Sequence, residues 1–209
     1  MLRSTAVSRI QRGLGFRTDL EDECISALQE AQREFERART LPWFLVEEDQ
    51  TLSVTSGTQT VALPDGFLME VEDDGLHYTS TDAGLVYLTK RPFDEAKLYY
   101  RDTDAGEPLS YSLRKASLYV FPEPDTNYTL TWSYFKAADV LTSDVENAWL
   151  ENVPELLIAK AGLILAMDLE NADSTKKFAA MFETWNNWLV REIARRESEA
   201  MPRRMGANH

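Results

Sequence analysis

The fold is decided by a long apolar segment near the C-terminus, LLIAKAGLILAMDL, residues 156–169. Its apolar side chains lie nearly all round a helix instead of forming one stripe, which is typical of a helix buried among others. The segment contains Lys160 and Asp168 and is too short to cross a bilayer of about 30 Å. It therefore predicts the central helix of a soluble bundle.

Helical periodicity extends from this segment to both ends of the chain. Apolar residues recur every three or four positions over 19–38, and Pro42 ends that helix. A shorter helix is expected at 4–12, and another after the turn at 171–174, with a broad apolar stripe over 178–193. Because each stripe needs a partner, the helices of the two ends are expected to pack together.

Two of these helices carry capping signals. Thr18 and Glu21 have the spacing of a capping box. Asn152 and Glu155 form a second predicted cap, with Pro154 in the first turn of the apolar helix.

Between residues 50 and 136 the apolar period changes to two, as in β-strands. Two short alternating stretches, 52–54 and 61–63, flank Ser56-Gly57-Thr58 and predict a hairpin. Further strands are expected at 67–71, 85–89, 97–101, 111–113, 117–121 and 128–135. Short strands separated by Asp, Gly and Pro turns indicate a small sandwich or barrel.

The predicted fold class is therefore α+β, an antiparallel helical bundle formed by the N- and C-terminal helices with a small β-sandwich or barrel domain inserted. The predicted boundaries are 1–47 and 148–200 for the discontinuous bundle, 48–147 for the inserted acidic β domain, and 201–209 for a C-terminal tail.

The charge is strongly acidic and unevenly distributed. The 209 residues hold 35 acidic and 22 basic side chains, a net charge of −13, and residues 48–150 alone contribute −11. This balance excludes a general DNA- or RNA-coating protein. The single cysteine, Cys24, excludes an intrachain disulfide and cysteine-based zinc sites, and residues 1–14 lack the apolar core of a signal peptide.

No catalytic residue, metal site or cofactor is predicted. The stretch 70–75 resembles the start of an EF-hand loop, but Thr81 stands where a bidentate Glu is needed. His77, beside Asp73 and Asp74, has neither a nucleophile elbow nor metal-ligand spacing near it. A carbohydrate-binding or carbohydrate-hydrolysing module built on the acidic, aromatic β domain is the alternative from another class, although no carboxylate pair is favoured.

Six short segments, taken in order, carry a family resemblance. They read ARTLPWFL (38–45), TVALPDGF (60–67), YSL (111–113), LYVFPEPD (118–125), YTL (128–130, followed by Tyr134) and NAWLENVPELL (147–157). Together they resemble the head-to-tail adaptor, or connector, proteins of tailed bacteriophages of the podovirus type.

The resemblance implies a helical bundle with a β insertion and a non-enzymatic, structural role in the virion. Members of that family form a ring, usually a dodecamer, beneath the portal protein and extend the DNA channel. The ring provides a docking platform for the tail nozzle or tail-tube protein, with tail fibres as further partners. DNA would pass through without specific binding, no membrane is involved, and assembly would take place in the host cytoplasm. Another virion connector or a tail-tube protein is the alternative within the virion.

The resemblance also implies a portal-binding role for the C-terminal segment, which in that family reaches up to the portal and orders on binding. The residues that correspond here are Arg196, Met201, Pro202, Arg203, Arg204, Met205 and His209.

Two further sets of residues are candidates for roles in such a ring. Surplus aromatic side chains suit subunit contacts, and the candidates are Trp43, Phe44, Trp185 and Trp188. Acidic side chains facing a channel would repel phosphates so that the duplex slides. The candidates are Asp73, Asp74, Asp102 and Asp104, with an outer acidic rim as the alternative location.

Overall fold

The computed structural model describes residues 1–71, 75–142 and 144–200. These ranges contain six α-helices and two β-sheets, so the predicted α+β class is confirmed. The contacts divide the chain into two compact units. The helical unit comprises Met1–Leu45 and the chain from Ala138 onward, and the β unit comprises Val46–Ala137.

The helical unit is organised around the apolar segment. Its helices are α1 (Arg3–Gly13), α2 (Glu21–Glu36), α4 (Ala148–Asn152), α5 (Pro154–Asp168) and α6 (Ala172–Ala200), with a 3-10 turn at Trp43–Leu45. The apolar helix α5 packs against α1, α2 and α6, so most of its circumference is buried. This explains why the sequence of α5 has no polar stripe. No helix within the described ranges combines the length and apolarity that a bilayer span requires.

Close packing around α5 depends on two glycines that face the ring of Phe178. A methyl group at Gly13 would lie 2.3 Å from Cζ of Phe178, and one at Gly162 would lie 2.4 Å from its Cε1. Ser174 Oγ donates a hydrogen bond to the carbonyl oxygen of Gly13 at 3.0 Å. The start of α6 is therefore seated in a notch between the end of α1 and the middle of α5.

The caps predicted for α2 and for α5 are both wrong. The helix α2 starts after Leu20 without a side-chain cap, so Thr18 and Glu21 form no capping box. Asn147, not Asn152, is the capping residue of this region, because its Oδ1 accepts from the backbone N–H of Leu150 at 3.0 Å at the start of α4.

The turn at 171–174 behaves as predicted. Asn171 Oδ1 accepts from the backbone N–H of Ser174 at 3.0 Å and caps the start of α6.

The β unit contains nine strands within its described residues and one short helix. They are β1 (Val46–Val54), β2 (Thr60–Ala62), β3 (Phe67–Glu70), β4 (His77–Ser80), β5 (Gly84–Tyr87), β6 (Thr89–Lys90), α3 (Phe93–Tyr99), β7 (Ser110–Arg114), β8 (Ser117–Phe121) and β9 (Tyr128–Lys136). One sheet has the order β1-β9-β4-β5, with β3 also paired to β9, and the other has the order β2-β8-β7-β6. Both sheets contribute to one buried cluster that includes Leu118, Val120, Leu130 and Trp132.

The predicted hairpin around Gly57 is wrong, because its two strands belong to different sheets. Val54 pairs with Tyr128 in one sheet, whereas Val61 pairs with Leu118 in the other. The connecting turn is held by the 122–127 loop, since the Gly57 N–H donates to the carbonyl oxygen of Pro124 at 2.8 Å.

The predicted strand at 97–101 is also wrong, because residues 93–99 form α3. Pro92 precedes the helix, and Asp94 and Glu95 lie in its first turn, where acidic side chains favour the positive end of the helix dipole. Ala96 is its one buried residue, which gave the sequence little helical periodicity to detect.

Candidate functional site

An aromatic cluster joins the end of α2, the 3-10 turn, α4 and α6 within the helical unit. Its members are Phe35, Trp43, Phe44, Trp149 and Phe182. The fully buried Trp149 is at its centre, with the ring of Phe35 stacked at 5.1 Å and the ring of Phe44 edge-on at 5.2 Å. Trp43 and Phe44, two of the predicted subunit contacts, are half-buried at the margin of this cluster.

A buried polar network anchors the same region. Oε1 of Glu36 accepts hydrogen bonds at 3.0 Å from the indole N–H of Trp149, the backbone N–H of Ala138 and the side-chain amide of Gln32. Asn147 donates to Oε1 of Gln32 at 2.9 Å and so joins α4 to α2. Because every partner is satisfied, the network fixes the chain where it returns to the helical unit.

The C-terminal end of α6 carries a dense cluster of ion pairs. Glu192 pairs with Arg195 at 2.5 Å and with Arg196 at 2.9 Å, and Arg195 also pairs with Glu199 at 2.5 Å. Hydrogen bonds from the two guanidinium groups lower the pKa of Glu192 to about 2. The same contacts raise the pKa of Arg195. These pairs have the i,i+3 and i,i+4 spacing that stabilises a helix end.

Arg196, predicted to bind the portal, also contacts the aromatic cluster. Its guanidinium carbon lies 3.9 Å from the centre of the Trp43 ring, a cation–π contact that ties the end of α6 to the 3-10 turn. The other predicted portal-binding residues, Met201, Pro202, Arg203, Arg204, Met205 and His209, lie outside the described residues.

Trp185 and Trp188 form an aromatic pair on α6, with ring centres 5.9 Å apart in an edge-on arrangement. Trp185 is half-buried, and Trp188 is 41% exposed. A partly exposed tryptophan pair on a helix is the kind of surface that partner proteins cover.

The acidic candidates fall into two groups. Asp102 and Asp104 are exposed on the loop that follows α3, next to the exposed side chains of Leu98 and Tyr99. Asp73 and Asp74 lie outside the described residues.

Across 1–71, 75–142 and 144–200, no three His, Cys, Asp or Glu side chains are grouped so that they could hold a metal ion. Cys24 is buried in α2, and burial raises the pKa of its thiol to about 11.

Comparison with known proteins gives a match over nearly the whole chain. The family model described as SU10 adaptor protein matches residues 2–206. The chain belongs to the SU10 adaptor family. The resemblance to phage head-to-tail adaptors is thereby confirmed. A separate comparison with curated proteins gives no match.

Family membership gives this chain a structural role in a bacteriophage virion, with portal and tail components as the class of partner. Adaptor families of this kind are generally non-enzymatic.

The sequence did not predict two contacts of this adaptor, the hydrogen bonds to Glu36 and the cation–π contact between Arg196 and Trp43. Glu36 looked like one more acid on an amphipathic helix, and Arg196 was assigned to the portal without an intramolecular partner. Glu36 directly follows Phe35 at the end of α2, but neighbouring positions on a helix do not share a face, so the local sequence gave no signal for its contacts. The contact between Arg196 and Trp43 joins distant parts of the chain, and no local pattern encodes it.

Proposed function

We propose that this adaptor assembles beneath the portal as a ring of twelve copies. The ring extends the DNA channel and presents a docking platform to the tail nozzle or tail-tube protein and to tail fibres. The observation that carries the proposal is the match to the SU10 adaptor family over residues 2–206. In this arrangement the helices of 1–47 and 148–200 form a bundle, 48–147 is a β domain inserted into it, and 201–209 is the portal-binding arm.

The end of α6 supports the assignment of the arm. The 29 residues of α6 correspond to a rod of about 43 Å, and its last turns are stiffened by the Glu192 ion pairs. Arg196 holds this end against Trp43, so the chain enters the arm at a fixed point. Arg203 and Arg204 then give the arm a positive charge that suits an acidic portal surface.

Charge supports the channel role of the β unit. Residues 46–137 hold sixteen acidic and seven basic side chains, a net charge of −9. A lumen of that sign repels phosphates and lets a duplex slide without sticking. Asp102 and Asp104 are the exposed candidates for such a lining, and Asp73 and Asp74 belong to the same proposal.

The partly exposed tryptophan pair on α6 supports subunit or partner contact. Trp188 offers an aromatic side chain that is 41% exposed, next to the ring of Trp185. Together with Trp43 and Phe44 these residues are proposed to bury part of the interface between neighbouring copies.

Mass photometry with purified portal rings tests the proposal. We expect about one full-length adaptor per portal subunit and no loading by a chain that ends at Glu199. A full-length chain with Arg203 and Arg204 changed to Gln separates the charge of the arm from its length. Failure of the full-length chain to bind the portal would overturn the proposal, and a stable ring formed without portal would contradict templated assembly.

A further inference from the structure

A pocket of about 250 Å³ opens on the helical unit between α1, α5 and α6. Its apolar part is formed by Gly13, Ile158, Phe178 and Met181. Three cationic side chains, Arg9, Arg12 and Lys177, complete the lining. Nothing in the proposed portal arm or channel uses this pocket.

The cations of the pocket are only partly neutralised. Arg9 forms a bidentate ion pair with Glu155, in which Nη1 of Arg9 lies 2.6 Å from Oε1 of Glu155. The salt bridges found among the described residues include none from Arg12 or Lys177. Two positive charges therefore border an apolar floor in a chain whose net charge is −13.

The size of the pocket indicates what it can receive. Small-molecule sites usually enclose roughly 300–1,000 Å³, so this pocket suits a protruding side chain better than a cofactor-sized molecule. Its lining suits an occupant with a carboxylate that pairs with the cations and an apolar side chain that packs against the apolar residues.

We propose that the pocket receives the Asp82–Leu85 turn of the β unit from a neighbouring copy of this chain, an inference that rests on the ring proposed above. This segment comprises the end of the connection from β4 to β5 and the first two residues of β5. Asp82 is exposed, and Leu85 of β5 is 54% exposed. A contact between two different surfaces of identical subunits is the head-to-tail type that closes into a ring.

Hydrogen bonds to Ser80 hold the backbone of the turn, and Glu107 lies beside it. Ser80 Oγ accepts from the backbone N–H of Asp82 at 3.3 Å and donates to Glu107 Oε1 at 3.0 Å. The hydroxyl of Tyr78 donates to Glu107 Oε2 at 3.3 Å. Burial and the neighbouring Glu107 raise the pKa of Tyr78 to about 12. The turn thus offers the carboxylate of Asp82 on a backbone that is already hydrogen-bonded, which lowers the entropic cost of docking.

Other occupants fit less well. The loop after α3 carries Asp102 and Asp104, but Arg101 directly before them cancels half of their charge. The arm at 201–209 contains Arg203 and Arg204, which the cations of the pocket would repel.

Charge reversal and exchange test the proposal, with loading onto portal rings followed by mass photometry. K177E and D82K are each expected to reduce the affinity of loading about tenfold, and a chain carrying both changes is expected to recover because each interface regains an opposite pair. K176E is the matched control, since Lys176 is exposed and does not line the pocket. Circular dichroism and thermal melting establish that each variant is folded.

The outcomes separate this inference from the ring proposal. If the wild-type chain loads onto the portal and K177E loads with the same affinity, the pocket assignment alone is overturned. The same holds if the losses of affinity from K177E and D82K simply add in the double variant. If not even one copy of K177E binds to the portal, the portal itself occupies the pocket. This outcome also overturns the assignment to a neighbouring copy. Failure of the wild-type chain to load overturns both proposals.

A cross-link gives an independent readout. In a Cys24→Ala background, L85C and M181C in one chain are expected to form disulfides between neighbouring copies on the portal when an oxidant is added. A ladder of multimers on a non-reducing gel supports the docking, and its absence from fully loaded rings contradicts it.

Discussion

At the scale of single residues, the helical unit depends on two glycines whose importance is steric. Gly162 lies in the middle of α5, where alanine would ordinarily raise helix propensity by about 1 kcal/mol. The ring of Phe178 occupies the space that a methyl group would need. The sequence placed Gly162 on a buried helix, but the approach of Phe178 from another helix is a tertiary contact that helical periodicity does not encode.

Gly162→Ala is therefore expected to destabilise the protein by about 1–3 kcal/mol, because overpacking outweighs the gain in propensity. Urea unfolding measures the change. In a Phe178→Leu background the cost should be much smaller, and an equal cost in both backgrounds would show that Phe178 is not the cause.

The carboxylate of Glu36 is the second residue on which the helical unit depends. Its Oε1 accepts from Trp149, Ala138 and Gln32, so Glu36→Gln weakens three hydrogen bonds to a charged acceptor. We expect a loss of about 1–3 kcal/mol in the free energy of unfolding. Glu34→Gln on the same helix is the matched control, because Glu34 is exposed and its ion pair among the described residues is with Lys160; its effect should stay within about 0.5 kcal/mol. Equal effects in the two variants would contradict the role of the network.

At the scale of elements, the sequence predicted most helices and misjudged strand pairing for one physical reason. A helix is local, so the periodicity of α2 and α6 reveals it directly. The partner of β1 is β9, far along the chain, and Gly57 gave a turn signal that suggested the nearer β2 instead. The short helix α3 was missed because seven residues with one buried side chain carry almost no periodic signal.

The end of α6 gives a prediction about pH. Since the folded pKa of Glu192 is lowered from 4.5 to about 2, its ion pairs contribute stability that is present above pH 4.5 and lost as the pH falls toward 2. The protection of the amide hydrogens over 190–199, measured as the exchange rate relative to the intrinsic rate at each pH, should fall across that range. Glu192→Gln should make this end exchange quickly at neutral pH, whereas Glu197→Gln, which alters no ion pair found in the described part of α6, should not. Unchanged exchange in the Glu192 variant would rule out the ion pairs as the cause.

At the scale of the whole molecule, the chain leaves and re-enters the helical unit on neighbouring strands. The β unit begins on β1 and ends on β9, and Val46 is paired with Phe135. The two ends of the unit are therefore about one strand spacing apart, near 5 Å. The sequence indicated a β region with helices before and after it, but it could not show that its first and last strands are paired, because that pairing joins its two ends.

A chain of residues 46–137 is expected to fold on its own, because its sheets and their buried cluster are drawn entirely from that range. Cooperative thermal unfolding and dispersed amide signals in NMR spectra would support this. A matched chain of 46–127, which lacks β9, should be unfolded, since β9 pairs with β1, β3 and β4. An unstructured 46–137 fragment would show that the β unit needs the helices.

The pairing of β1 with β9 also has an evolutionary consequence. A segment whose entry and exit points are adjacent can be exchanged for another with the same end spacing, without altering the sequence or the connections of the helices. Recombination between phage genomes would in this way exchange the β unit while leaving the sequence of the helical unit unchanged. We expect the junctions of such exchanges to fall close to Val46 and Ala137.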